Sequence, residues 1–263
     1  MMGPLAVTGF SWPTLAFAML VVFGAGIVRG FAGFGFSALC VAALTLVVPP
    51  AQVVPPIFVL EVLASLSLLR GAWPAADWRW LSWLVLGNAL FIPLGIAMLA
   101  FVPEMPLRLL IGALLLLAAA LLRSGFSLAL APTRVVRLAT GLVSGFVNGV
   151  AAIGGIAVAV LLSTSQMAPA TMRATMIVMF LFTDLYALAC AGVVSAGGEA
   201  GAALLGADTL RWALWLTPAM LAGIWFGQRS FAGVSPTQFR RQVLNLLILI
   251  ASISVLRALA ALA

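Results

Sequence analysis

Two acids, one amide and two glycine-rich breaks carry whatever chemistry this chain can do at depth. Glu61 and Asp184 each fall near the middle of a long apolar run, 123 residues apart. An acid at the centre of a membrane helix costs about 2.5–3.5 kcal/mol on insertion scales, so a role in moving ions or protons is the default reading. A structural hydrogen bond or ion pair to a neighbouring helix is the plainer one. The densest local signal runs Arg29, Gly30, Phe31, Ala32, Gly33, Phe34, Gly35, Phe36, Ser37. Its weaker counterpart runs Gly145, Phe146, Val147, Asn148, Gly149, followed by Gly154 and Gly155. Glycines at this density break a helix and free backbone N–H groups, which lipid tolerates only where the backbone lines a cavity or is buried in protein. The helix that follows such a break presents a partly positive N-terminus with open donors, suited to an anion. Two breaks entering from opposite faces would converge on one pocket, with Arg29 as countercharge and Asn148 as a further polar contact. Packing competes with binding here. Gly-x-x-x-Gly spacing at Gly26/Gly30, Gly141/Gly145 and Gly145/Gly149 lets helices approach closely without any ligand, and Arg29 would then be a loop charge.

The elements that must position these residues are membrane helices. Of the 263 residues, 65% are hydrophobic and only 7% charged, with a mean hydropathy of +1.26. Soluble domains carry about a quarter charged residues, so the solvent that suits this composition is a bilayer. The chain has no histidine, which removes the usual metal ligand and every Ser-His or Cys-His pair. It also has no lysine, and a Glu61–Asp184 dyad is a poor enzyme, so no catalysis, metal or cofactor is expected. Cys40 and Cys190 sit singly in apolar runs and read as small core residues. The net charge of +7 comes from arginines scattered at run ends, a topology signal and not a nucleic-acid patch. No basic segment precedes the first run, so no cleaved signal peptide is expected.

Apolar runs cover roughly 13–29, 31–48, 53–70, 78–102 and 106–123, then 135–148, 149–165, 170–194, 209–231 and 236–262. This divides the chain into a first repeat, 1–123, a cytoplasmic linker, 124–134, and a second repeat, 135–263. Gly26-x-x-x-Gly30-Phe31 recurs as Gly141-x-x-x-Gly145-Phe146 at an offset of 115, and Arg79-Trp80-x-x-Trp83 as Arg211-Trp212-x-x-Trp215 at 132. Pro106 and Pro236 each open a final run. With ten runs, one side carries ten arginines and the other only Arg108, Arg211 and Arg257. The positive-inside rule then places both termini outside. Five runs per half is an odd number, so the halves enter from opposite sides. The expected fold is all-α and polytopic: two inverted five-run repeats, each opened by glycine-broken or re-entrant helices, as in many secondary transporters.

On the motif Gly30, Phe31, Ala32, Gly33, Phe34, Gly35 and its degenerate copy Gly145, Phe146, Val147, Asn148, Gly149, the chain resembles the sulfite exporter TauE/SafE family over nearly its whole length. The resemblance implies a transporter of sulfite, organosulfonates or related sulfur-containing anions in the cell's inner membrane, moving them outward or with proton coupling. The substrate-binding residues expected are Arg29, Gly30, Phe31, Gly33, Phe34, Gly35, Ser37, Asn148, Gly149, Gly154 and Gly155, with Glu61 and Asp184 coupling protons. The expected partners are a small anion and the lipid bilayer, with no nucleic acid; protons and a second copy of the chain are left open. An anion channel or a non-transporting membrane scaffold is the alternative.

Overall fold

The computed structural model describes residues 11–124, 133–163, 167–197, 203–229, 243–245, 247–253 and 255–256. Among the described residues every regular element is a helix and none is a strand. The first half contributes α1 (Trp12–Ala32), α2 (Phe36–Leu44), α3 (Pro50–Ala72), a short 3₁₀ turn (Trp73–Ala75), α4 (Trp78–Phe101) and α5 (Glu104–Arg123). The second contributes α6 (Arg134–Ala151), α7 (Gly155–Ser163), α8 (Pro169–Ala196), α9 (Ala207–Arg229) and α10 (Val243–Ile253). Most of the expected 124–134 linker, and the expected markers Pro236, Arg240, Arg241 and Arg257, lie outside the described residues.

Local chemistry explains the boundaries. Ser11 caps α1 by accepting from the Thr14 N–H at 3.5 Å, and Asp77 caps α4 by accepting from the N–H groups of Arg79 and Trp80. Thr133 does the same for α6. Pro50 and Pro169 open α3 and α8, where a missing N–H costs nothing. α1 ends at Gly33, whose φ of 80° is the left-handed stop that glycine adopts freely.

Among the described residues five helices, α1, α3 with its 3₁₀ turn, α4, α5 and α8, are long and apolar enough to cross a bilayer. α2 and α7 have nine residues each. At about 14 Å they cover less than half of a hydrocarbon core about 30 Å thick. Large apolar side chains such as Leu20, Leu90, Val193 and Leu214 face outward, a surface that only lipid would solvate well.

The most extensive helix contacts join α4 to α6, α1 to α9 and α3 to α8. The first two are glycine seams. A Cβ at Gly26 would lie 2.7 Å from the Met220 carbonyl oxygen, and one at Gly227 would collide with that of Ile27. Likewise a Cβ at Gly145 would meet Asn88 and one at Gly149 the Ile92 carbonyl, each at 2.5 Å. In both seams the contacts advance together along the chain, so α1 runs parallel to α9 and α4 parallel to α6. The central pair runs antiparallel. Ser67, Gly71 and Ala72 at the end of α3 share a cavity with Ala170, Arg173 and Ala174 at the start of α8. At the opposite end, Ala51, Gln52 and Pro56 lie against residues 203–212, which follow α8.

These contacts repeat residue by residue between the halves. Gly30 meets Ile224 as Gly149 meets Ile92; Gly26 meets Met220 as Gly145 meets Asn88; Gly227 meets Ile27 as Gly95 meets Phe146. Every equivalence has an offset of 119 on α1/α6 and 132 on α4/α9. The left-handed stops agree, since Ala152 with φ 57° lies 119 residues after Gly33. The Arg-Trp offset of 132 therefore stands. The offset of 115 expected for the glycines is one helical turn short, and the 123 expected between Glu61 and Asp184 is one turn long. A spacing that recurs every four residues fits either register; backbone contact selects one.

Trp80 and Trp212, expected as headgroup anchors, face protein and not the outer surface. Both are buried, and the Arg137 guanidinium lies 4.1 Å from the Trp80 ring centre. The outer partner Trp215 stays exposed.

Candidate functional site

The buried polar groups collect where α1, α3, α6 and α8 meet. Arg29, four residues before the left-handed Gly33, is fully buried (0% exposed). Its Nη2 stands 3.1 Å from Glu61 Oε2 and donates to Ser65 Oγ at 2.9 Å, while Nη1 donates to the Gly33 carbonyl at 2.6 Å. That last bond satisfies a carbonyl that the end of α1 leaves open. The guanidinium also lies across the halves, 4.5 Å from the Phe180 ring centre on α8. Hydrogen bonds from Arg29 to Ser65 and Gly33 support an ion pair this deep, where a lone charge would be far more costly.

Glu61 does a second job. Its Oε1 accepts from Ser37 Oγ and, at 3.3 Å, from the Ser37 backbone N–H in the first turn of α2. The N-terminus expected to hold an anion thus holds the carboxylate of α3, placed against the positive end of the helix. The left-handed turn that makes this approach available is Gly33–Phe34–Gly35, with φ of 80° and 91° at its two glycines.

The second half repeats the geometry with different residues. Asn148, equivalent to Arg29, donates through Nδ2 to Asp184 Oδ1 at 2.8 Å and accepts from the Gly154 N–H at 3.3 Å. By the same offset of 119, Asp184 is equivalent to Ser65, and Phe180 to Glu61. Where Glu61 faces the start of α2, Phe180 packs on Gly155 at the start of α7, where a Cβ would strike its ring. Glu61 and Arg29 both lie in electrostatic reach of Asp184. Ser144 Oγ stands 3.1 Å from Asn88 Oδ1 and 3.0 Å from the Gly154 carbonyl oxygen. Three atoms near the centre have no hydrogen-bond partner: Arg29 Nε, Glu61 Oε2 and Asp184 Oδ2.

Of the residues expected from sequence, Arg29, Ser37, Glu61, Asn148, Gly154 and Asp184 come together in this cluster. Phe31, Phe34 and Gly35 line an adjoining cavity, and Gly33 shapes the turn. Gly30 and Gly149 lie in the two seams, and Gly155 accommodates Phe180. Ser65, Phe180, Asn88, Ser144 and Arg173 were not singled out. One of them had a signal: Ser65 lies 36 residues after Arg29, as Asp184 lies 36 after Asn148.

A helical, multi-pass membrane protein with a charged cluster buried between two like-built halves is the class that this architecture defines. The family model for the sulfite exporter TauE/SafE matches residues 18–254, and the chain belongs to that family, one of membrane transporters of sulfur-containing anions. No curated protein and no solved structure matches the chain.

Proposed function

We propose that the protein is a secondary carrier of the cell's inner membrane that moves sulfite, an organosulfonate or a related sulfur-containing anion, with a proton carried by Glu61 or Asp184. The observation that bears this reading is the placement of Arg29, Glu61 and Asp184 in one buried cluster at the junction of the halves. There a fixed cation and two acids can exchange partners as access alternates. α3 and α8 occupy the same place in the two halves and run antiparallel. A two-fold axis relating them lies across the helices, which supports an inverted repeat and a site near the bilayer midplane.

Proteoliposomes test the carrier reading. Uptake of labelled sulfite or taurine against its gradient, driven by an imposed pH difference, is the expected result. Equilibration that never concentrates the anion would mark a channel, and no flux above empty liposomes would leave a scaffold. Thermal stabilisation of the detergent-solubilised chain against sulfite, sulfonates, sulfate, thiosulfate and short carboxylates identifies what binds, since a ligand of the folded state raises its apparent stability.

A further inference from the structure

Beside the Gly33–Gly35 turn lies a cavity of about 460 Å³, within the range of small-molecule sites. Phe31, Phe34, Met172 and Met176 line it, and among its lining residues Arg173 is the one charge. The two other attractions for an anion near this turn are already taken. Arg29 is fully buried and bound to Glu61, Ser65 and Gly33, and the first turn of α2 is held by Glu61. Among the described lining residues, Arg173 is the charge that an anion in this cavity can contact.

Arg173 is prepared for that contact. Its Nη2 donates to the Gly30 carbonyl at 2.7 Å, and its stem lies over Gly33, where a Cβ would collide with it. Its buried Nε has no hydrogen-bond partner. Arg29 is in electrostatic reach of Arg173, and Glu61, in the ion pair with Arg29, is the acid beside them. Asp184 is 11 residues further along α8, about three turns away. Among the described residues Arg173 forms no ion pair with a carboxylate, so its charge at the cavity wall is open to an anion.

We infer that this cavity is the first binding site for the transported anion and that Arg173 is its direct contact. The inference rests on the carrier reading and narrows its substrate class to an alkylsulfonate: a compact oxyanion head matched by the guanidinium fork, on a short apolar body matched by the aromatic and methionine walls.

The test reads binding without transport, on the purified full-length chain, as thermal stabilisation by methanesulfonate, butanesulfonate and sulfite. In the parent the half-saturating concentration falls at least tenfold from methanesulfonate to butanesulfonate. Arg173→Gln raises it at least tenfold for both, Arg173→Lys by less, and Arg70→Gln, an exposed arginine outside the cavity, leaves it unchanged. The site is overturned by parental binding in Arg173→Gln, by an equal loss in Arg70→Gln, by indifference to chain length, or by no stabilisation of the parent at all. Should Arg173→Gln fail to fold, Met172→Trp fills the cavity while keeping the charge; it must abolish stabilisation, and parental binding there overturns the site equally. Binding that depends on Arg173 in a protein without flux would sink the carrier reading alone, whereas concentrative transport by Arg173→Gln with a parental KM would sink only this inference.

Discussion

Removing one partner of the Arg29–Glu61 pair leaves the other charge buried and alone, so the pair reports itself through stability. Glu61→Gln strands Arg29 and also weakens the contact that holds the first turn of α2. A loss of about 3–5 kcal/mol is expected, read as a drop in the unfolding midpoint in detergent. Replacing both residues together, Arg29→Met with Glu61→Leu, should cost less than either single change, because no lone charge remains. Asp184→Asn is milder. It keeps the shape and an acceptor for Asn148, and Oδ2 has no bond to lose. In transport the order reverses: with the ion pair intact, Asp184→Asn should still bind anion but lose its response to an imposed pH difference. If Asp184→Asn and Glu61→Gln both respond like the parent, the acids are structural and proton coupling is wrong.

Between helices, glycine works by absence. A leucine at Gly26, Gly145, Gly223 or Gly227 would drive a side chain into the backbone of the neighbouring helix, so each should cut the yield of monodisperse protein severely. Gly24→Ala and Gly71→Ala, where a Cβ meets nothing within 4 Å, should be harmless. Gel filtration of fluorescent fusions checks both sets, and equal behaviour would dissolve the seams. At this scale the sequence was informative: from α1 to α9 the helix ends fall within about six residues of where proline, glycine and arginine punctuate the chain, and the first glycine break was visible. The second lies later than expected, because Gly145 and Gly149 continue α6 and the chain turns at Ala152–Gly154. The register between halves was not visible. Glycines every fourth residue match themselves after a one-turn slip. The polar positions that could have fixed the register have diverged to Arg29 and Asn148, Glu61 and Phe180, Ser65 and Asp184. Arg173 was hidden for a different reason, since an arginine near a run end reads as a topology signal until a cavity is seen beside it.

The molecule as a whole is asymmetric in charge. Arg70, Arg79, Arg123, Arg134, Arg137, Arg173 and Arg229 gather toward one end of the helices, with Arg108 and Arg211 toward the other. With the rich end cytoplasmic, a reporter that fluoresces only in the cytoplasm should stay dark when fused after Ala263 and glow when inserted between Ser124 and Thr133. A bright C-terminal fusion would overturn the inverted arrangement. The seams have a consequence in time as well as in space. Gly141 on α6 follows its partner Gly87 by 54 residues, but Gly223 on α9 follows Gly26 by 197. At a synthesis rate of about 5–20 residues per second, the first seam has its partner within seconds. The bare face of α1 waits roughly 10–40 seconds for its own. α1, made before the other described helices, is thus among the last of them to find its neighbour, and during that interval the nascent chain depends on lipid or an insertion factor to keep its glycine face from pairing elsewhere.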